Sequence, residues 1–292
     1  MLQGSFVALI TPFSSSGEID FDRLDFLIEW HLKNKTDGLV VAGITAEPWA
    51  LTEEEEEQLL TFVLQKVQGK IPVVMGTGKA GTRVTREKTE KAKTLGADAA
   101  LVIIPYCNRP SFAGCLAHYK EVAKAGLPLM LYHHPKRTGV TLSCEQIAAI
   151  IEHVPQIIAV KESSGDLQIF ACLAQSLSVP LFCGDDPLFE KASLLGAKGN
   201  ISVLANAFPL EWNSFIQSAL LGDRERAVAL NTLFQPLYET LFLETNPQGI
   251  KHLMHFLGLI DPYLRLPMVS VGAEVAKKIE ESCALLLSKT SS

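Results

Sequence analysis

Short runs rich in Val, Ile and Leu alternate with longer amphipathic stretches from the start of the chain to about residue 220, and this alternation constrains the fold most. The apolar runs fall at 6–11, 38–42, 71–75, 99–104, 129–132, 157–161, 181–183 and 199–203. Helical patterns lie between them, at about 22–34, 52–67, 82–95, 111–125, 143–152, 166–177, 187–195 and 209–221. Thr52 with Glu55 and Ser143 with Gln146 match the capping box, in which side chains satisfy free N–H groups at a helix start. Continuous apolar strands separated by helices call for a parallel sheet covered on its outer face, and eight such units close into a barrel. A doubly wound open sheet is the rival. The first strand has no G-x-G-x-x-G turn, which favours the barrel.

From about residue 225 the pattern changes to three further helices, with a stripe at Val228, Leu230, Leu233, Phe234, Leu237 and Leu241. The expected architecture is therefore α/β: a (β/α)8 TIM barrel over residues 1–224 with a helical extension over 225–292 packed on it. The run Glu53 to Glu57 reads as a solvated, dipole-favoured first helical turn.

At 292 residues, 48% hydrophobic and 20% charged, the chain suits one large core. A net charge of -6 with scattered basic residues argues against nucleic acid or an anionic membrane as partner. The start MLQGSFVALITPF lacks a basic leader, and no apolar stretch approaches the roughly 18 residues of a membrane span, so the expected location is cytoplasmic. The Cys total is 6 with no C-x-x-C pair, and reduced thiols are the expectation.

Active sites of such barrels lie at the C-terminal ends of the strands. Lys161 ends the run Ile157-Ile158-Ala159-Val160, where apolar surroundings depress an ammonium's pKa and leave the free amine needed to attack a ketone. The alternative is a lysine reaching to water or paired with Glu162. Tyr132 ends the preceding strand, as a proton shuttle or a rim tyrosine. Thr45, in Gly43-Ile44-Thr45-Ala46-Glu47, offers a hydroxyl to a carboxylate, or is only part of a turn. Arg137 offers forked donors to an acidic substrate, or is a surface charge. His133 and His134 read as loop histidines without metal-ligand spacing, and His252 with His255 as packing or surface. Gly76 to Thr82 lacks true phosphate-loop spacing and reads as the turn into the third helix. No metal site is expected.

Taken together, FVALITPF, the Gly43 to Glu47 loop, Pro105-Tyr106-Cys107-Asn108-Arg109-Pro110, Leu131-Tyr132, Lys161-Glu162 with Gly165, Gly184-Asp185-Asp186 and Asn200-Ile201-Ser202 resemble the dihydrodipicolinate synthase and N-acetylneuraminate lyase family of pyruvate-dependent aldolases, across essentially the whole chain. The resemblance implies that Lys161 forms an imine with pyruvate and Tyr132 relays protons. It also implies that Thr45 binds the pyruvate carboxylate in a pocket lined by Gly184 and the Ile201 backbone. No organic cofactor is implied, since the covalent imine does that work, and a homotetramer built from tight dimers is the usual assembly. Arg137-Thr138-Gly139 resembles the synthase branch, where arginine grips the carboxylate of aspartate semialdehyde, so the implied reaction gives hydroxytetrahydrodipicolinate on the route to diaminopimelate and lysine.

Two positions depart from the family pattern. A second threonine and a second tyrosine are replaced by Ile44 and Cys107, which breaks the hydroxyl relay to Tyr132. Two rivals therefore stay open: an aldolase acting on a keto-deoxy sugar acid, and a weakly catalytic pyruvate-binding relative. Positions that bind inhibitory lysine in regulated members read Pro48, Trp49, Glu53, Glu56, Ala80, Val84 and Tyr106, so feedback by lysine is expected to be weak or absent.

Overall fold

The computed structural model describes residues 2–290. Strands β1 (Gly4–Ala8), β2 (Gly38–Val41), β3 (Val73–Gly76), β4 (Ala99–Ile103), β5 (Leu129–His133), β6 (Ile157–Glu162), β7 (Leu181–Cys183) and β8 (Gly199–Ser202) pair in sequence order into a closed barrel. All pairings are parallel, and β8 returns to β1 with Phe6 opposite Ile201. The open-sheet alternative is thereby excluded.

Helices α1 (Phe21–Lys33), α2 (Glu53–Val67), α3 (Thr82–Leu95), α4 (Phe112–Val122), α5 (Pro135–Thr138), α6 (Cys144–His153), α7 (Leu167–Ser176), α8 (Phe189–Leu194) and α9 (Pro209–Leu221) follow the strands. Both expected capping boxes form, at Thr52 and at Ser143. The stretch expected as one helix over 111–125 ends its α-helical part at Val122 and tightens into a 3-10 turn over Ala123–Ala125. Likewise 187–195 opens with a 3-10 turn, Asp186–Leu188, before α8. The four-residue α5 was not expected; Pro135 at its first position supplies a preset φ and needs no N–H partner there.

The strands divide two apolar cores. Outward side chains such as Val7, Leu39, Val102 and Leu131 pack under the helices. Inward ones, including Phe6, Val40, Val74, Met130, Phe182 and Ile201, fill the barrel, with Phe6 and Phe182 edge to face at 5.2 Å. Near-total burial of both faces is what continuous Val/Ile/Leu strands require.

Helices α10 (Arg224–Thr240), α11 (Gln248–Phe256) and α12 (Ala273–Thr290) form the C-terminal part. In α10 the buried residues are Ala227, Phe234, Leu237 and Tyr238, followed by Leu241, while Val228 is exposed, so the stripe is displaced from the expected one at its start. The extension is tied to the loop after β2 by charge as well as packing. Lys251 lies 2.5 Å from Glu47, both fully buried. Arg265 grips Glu55 with two guanidinium nitrogens, at 2.6 and 2.7 Å, and donates through Nε to the Gly17 carbonyl.

Three other expectations are corrected. Cys144 and Cys172 form a disulfide between α6 and α7, with Cα atoms 6.1 Å apart; successive helices bring together thiols that are distant in sequence, so not all cysteines are reduced. Glu56 is not a solvated residue of its acidic run: it is buried, with Lys88 at 2.6 Å and Lys79 at 3.3 Å. His133 is not in a loop but in β5, fully buried, where its Nδ1 lies 2.7 Å from Glu162 and its Nε2 accepts from the Leu142 N–H.

Candidate active site

A cavity of about 680 Å³ opens at the C-terminal ends of the strands. Its lining includes Thr45, Tyr132, Lys161, Gly184 and Asp185, together with His134, Lys136, Arg137 and Asn246. Register explains the centre: Tyr132 on β5 stands opposite Lys161 on β6, which stands opposite Phe182 on β7. Strand pleating sends Lys161 inward and Glu162 outward to His133, which removes the alternative of a Lys161–Glu162 pair.

Lys161 is 7% exposed, and its Nζ lies over the Tyr132 ring, 4.5 Å from the centroid. Burial pulls its pKa down from 10.5 to about 8, against the opposing pull of the Asp185 and Asp186 carboxylates. A usable fraction of free amine at neutral pH follows. Burial pushes the Tyr132 phenol well up, opposed by the neighbouring Ser163 hydroxyl, so Tyr132 is a phenol rather than a phenolate and can donate a proton. Space is tight: a Cβ on Gly184 would lie 2.6 Å from Lys161 Cε, so a side chain there would displace the lysine stem.

Thr45 sits in the 3-10 turn Ile44–Ala46, buried, and its Oγ1 accepts from Asn246 Nδ2 at 3.1 Å. The Asn246 carbonyl accepts from Arg137 Nη2 at 3.2 Å, so one residue of the C-terminal part braces both side chains expected to hold carboxylates. Nothing in the sequence signalled Asn246, which meets Thr45 from 201 positions away. His134 was set aside in the sequence and lies on the cavity wall; burial and the Lys161, Arg137 and Lys136 charges lower its pKa to about 3, so the ring is neutral. Asp186 is buried with its pKa raised to about 6, and its Oδ2 accepts from the Val203 and Leu204 N–H groups, fixing the turn after β8.

The Ile201 side chain is fully buried in the barrel interior, and Val203, just beyond β8, lines the cavity. Ile44 lies between the cavity and a smaller apolar pocket lined by Gly78, Leu101, Ile103 and Tyr106. Cys107 is exposed, with a left-handed backbone at φ 71°. Among the described residues no group of three or more His, Cys, Asp or Glu is placed to hold a metal, and no helix is long and apolar enough to cross a membrane.

A buried strand-end lysine beneath a phenol, at the C-terminal mouth of a closed (β/α)8 barrel, defines the class of barrel lyases that work through a lysine imine. Residues 1–285 match the Dihydrodipicolinate synthetase family, and the chain belongs to that family. It is 39% identical over 283 residues to the 4-hydroxy-tetrahydrodipicolinate synthase of Parabacteroides distasonis, a span covering 96% of this chain and 95% of that one. Among solved structures it resembles the chloride-inhibited dihydrodipicolinate synthase of Acinetobacter baumannii complexed with pyruvate, with 37% identity and a TM-score of 0.95 over 98% of this chain and 99% of that one. It also resembles the lysine-bound enzyme of Cyanidioschyzon merolae, with 33% identity and a TM-score of 0.93 over 97% and 98% of the two chains.

Proposed function

We propose that the chain condenses pyruvate with L-aspartate 4-semialdehyde to give 4-hydroxy-tetrahydrodipicolinate, in lysine and diaminopimelate biosynthesis, through an imine on Lys161. The observation that carries this is Lys161 itself, buried in the barrel mouth with its pKa lowered to about 8 and the Tyr132 phenol beside it. The free amine attacks the ketone carbon, a C–N bond forms, and the carbonyl oxygen leaves as water with a proton from Tyr132. Loss of a methyl proton gives the enamine, whose carbon attacks the aldehyde. The amine of the second substrate then displaces Lys161 as the ring closes. The lysine carries the carbonyl throughout, so the reaction as proposed calls for no organic cofactor and no metal.

In this reading Thr45 binds the pyruvate carboxylate, a role supported by the hydrogen bond that Asn246 donates to its Oγ1. Arg137 and Lys136, which line the same cavity, suit the carboxylate of the semialdehyde. The arginine favours this substrate over a keto-deoxy sugar acid. The same reading places the protein in the cytoplasm as a homotetramer built from tight dimers. Measuring pyruvate consumption with L-aspartate 4-semialdehyde against sugar-derived aldehydes tests it: turnover with the semialdehyde alone supports the proposal, and turnover only with sugar aldehydes overturns it.

A further inference from the structure

A buried hydroxyl at the end of β6 is left without a partner. Ser163 is 3% exposed and its Oγ makes no hydrogen bond, although buried hydroxyls are ordinarily paired. Its N–H donates to the His133 carbonyl, which continues the β5–β6 ladder one residue past Glu162. Alternation along the strand therefore turns Ser163 to the same side as Lys161.

The glycine opposite locates the hydroxyl. A Cβ on Gly184 would fall on top of Ser163 Oγ and 2.6 Å from Lys161 Cε, so the hydroxyl and the lysine stem occupy neighbouring space over that glycine. Tyr132 pairs with Lys161 across β5 and β6, and the lysine Nζ lies 4.5 Å from the ring centroid, so the Ser163 hydroxyl and the phenol flank the same lysine. On the other flank of Tyr132 the pocket wall includes Ile44, Gly78, Leu101 and Ile103, and Tyr106 is the one other lining residue there with a side-chain hydroxyl. A hydroxyl both donates and accepts, as a relay must.

We propose that Ser163 is the positioning and relay residue for Tyr132, taking the place of the hydroxyls missing at Ile44 and Cys107; this rests on Lys161 being the imine lysine. When the Tyr132 proton goes to the departing carbonyl oxygen, the Ser163 proton passes to the phenolate oxygen. Ser163 in turn recovers a proton from solvent in the cavity. One proton enters the chain of hydroxyls and one leaves, with no change of oxidation state.

The test compares Ser163→Ala and Ser163→Thr with the unaltered protein, by steady-state kinetics in pyruvate and semialdehyde and by borohydride trapping of the pyruvate adduct. Ser163→Ala should lower kcat by about 10²-fold, at the low end for a lost acid–base relay, while KM for pyruvate moves by no more than about twofold. Ser163→Thr keeps the hydroxyl and should recover most of the rate. Adduct on Lys161 in both variants, with kcat of Ser163→Ala unchanged and its pH profile unmoved, overturns the relay and leaves the imine standing. Absence of adduct in the unaltered protein overturns the imine, and the relay with it.

Discussion

Lys161 Nζ stands 4.5 Å from the centre of the Tyr132 ring, on strands that pair these two residues directly. The ring face attracts an ammonium, but burial outweighs that attraction and brings the lysine pKa down to about 8. Below that value the amine is protonated and inert, so kcat/KM for pyruvate should rise about tenfold per pH unit up to about 8 and then level. A pH profile of kcat/KM checks this, and a limb still rising above pH 10 contradicts it. Tyr132→Phe should cut kcat by about 10²- to 10⁴-fold with pyruvate binding retained.

Ile44 turns an apolar side chain toward the cavity, and Cys107 is exposed on the loop after β4. Restoring hydroxyls with Ile44→Thr and Cys107→Tyr together should raise kcat, by up to about tenfold, because a second proton path opens to Tyr132. The same pair should rescue part of the loss in Ser163→Ala. Steady-state kinetics of the combined variants read both effects.

Glu56 is already occupied. Lys88 lies 2.6 Å from one of its oxygens and Lys79 3.3 Å from the other, with the carboxylate nearly closed to solvent. An incoming amino acid's ammonium would have to displace charges the fold has already paired. Free lysine at about 1 mM should therefore change the rate by less than about twofold, unlike inhibition with a micromolar constant. Titrating lysine into the assay decides it, and micromolar inhibition would refute the account.

Lys251 and Glu47 pair with no exposure to water, and Glu47 lies two residues beyond Thr45. Lys251→Met leaves a buried carboxylate uncompensated, which costs about 3–5 kcal/mol. The midpoint of urea unfolding should fall accordingly. KM for pyruvate should rise as well, because the loop that carries Thr45 loses its anchor.

Much of the fold was legible because its signals are local. Eight apolar runs and their intervening helical patterns mark the barrel, and Thr52 and Ser143 mark helix starts by hydrogen bonds spanning three residues. Lys161 and Tyr132 were legible for a related reason: a reactive group at the end of a barrel strand lies at the mouth. What was not legible depends on contacts between distant elements. Asn246 reaches Thr45 only through the docked C-terminal part, Cys144 meets Cys172 only once α6 and α7 lie side by side, and Glu56 is buried only because lysines from the next βα unit cover it. Ser163 illustrates a third case, since a serine after a strand carries no signal until its missing partner is seen.

The most direct measurement is mass spectrometry of the protein after incubation with pyruvate and borohydride, with peptide mapping of the adduct. The account predicts one reduced pyruvyl unit per chain, on Lys161, and none in Lys161→Ala. An unmodified Lys161, or an adduct on another lysine with Lys161 intact, would contradict it.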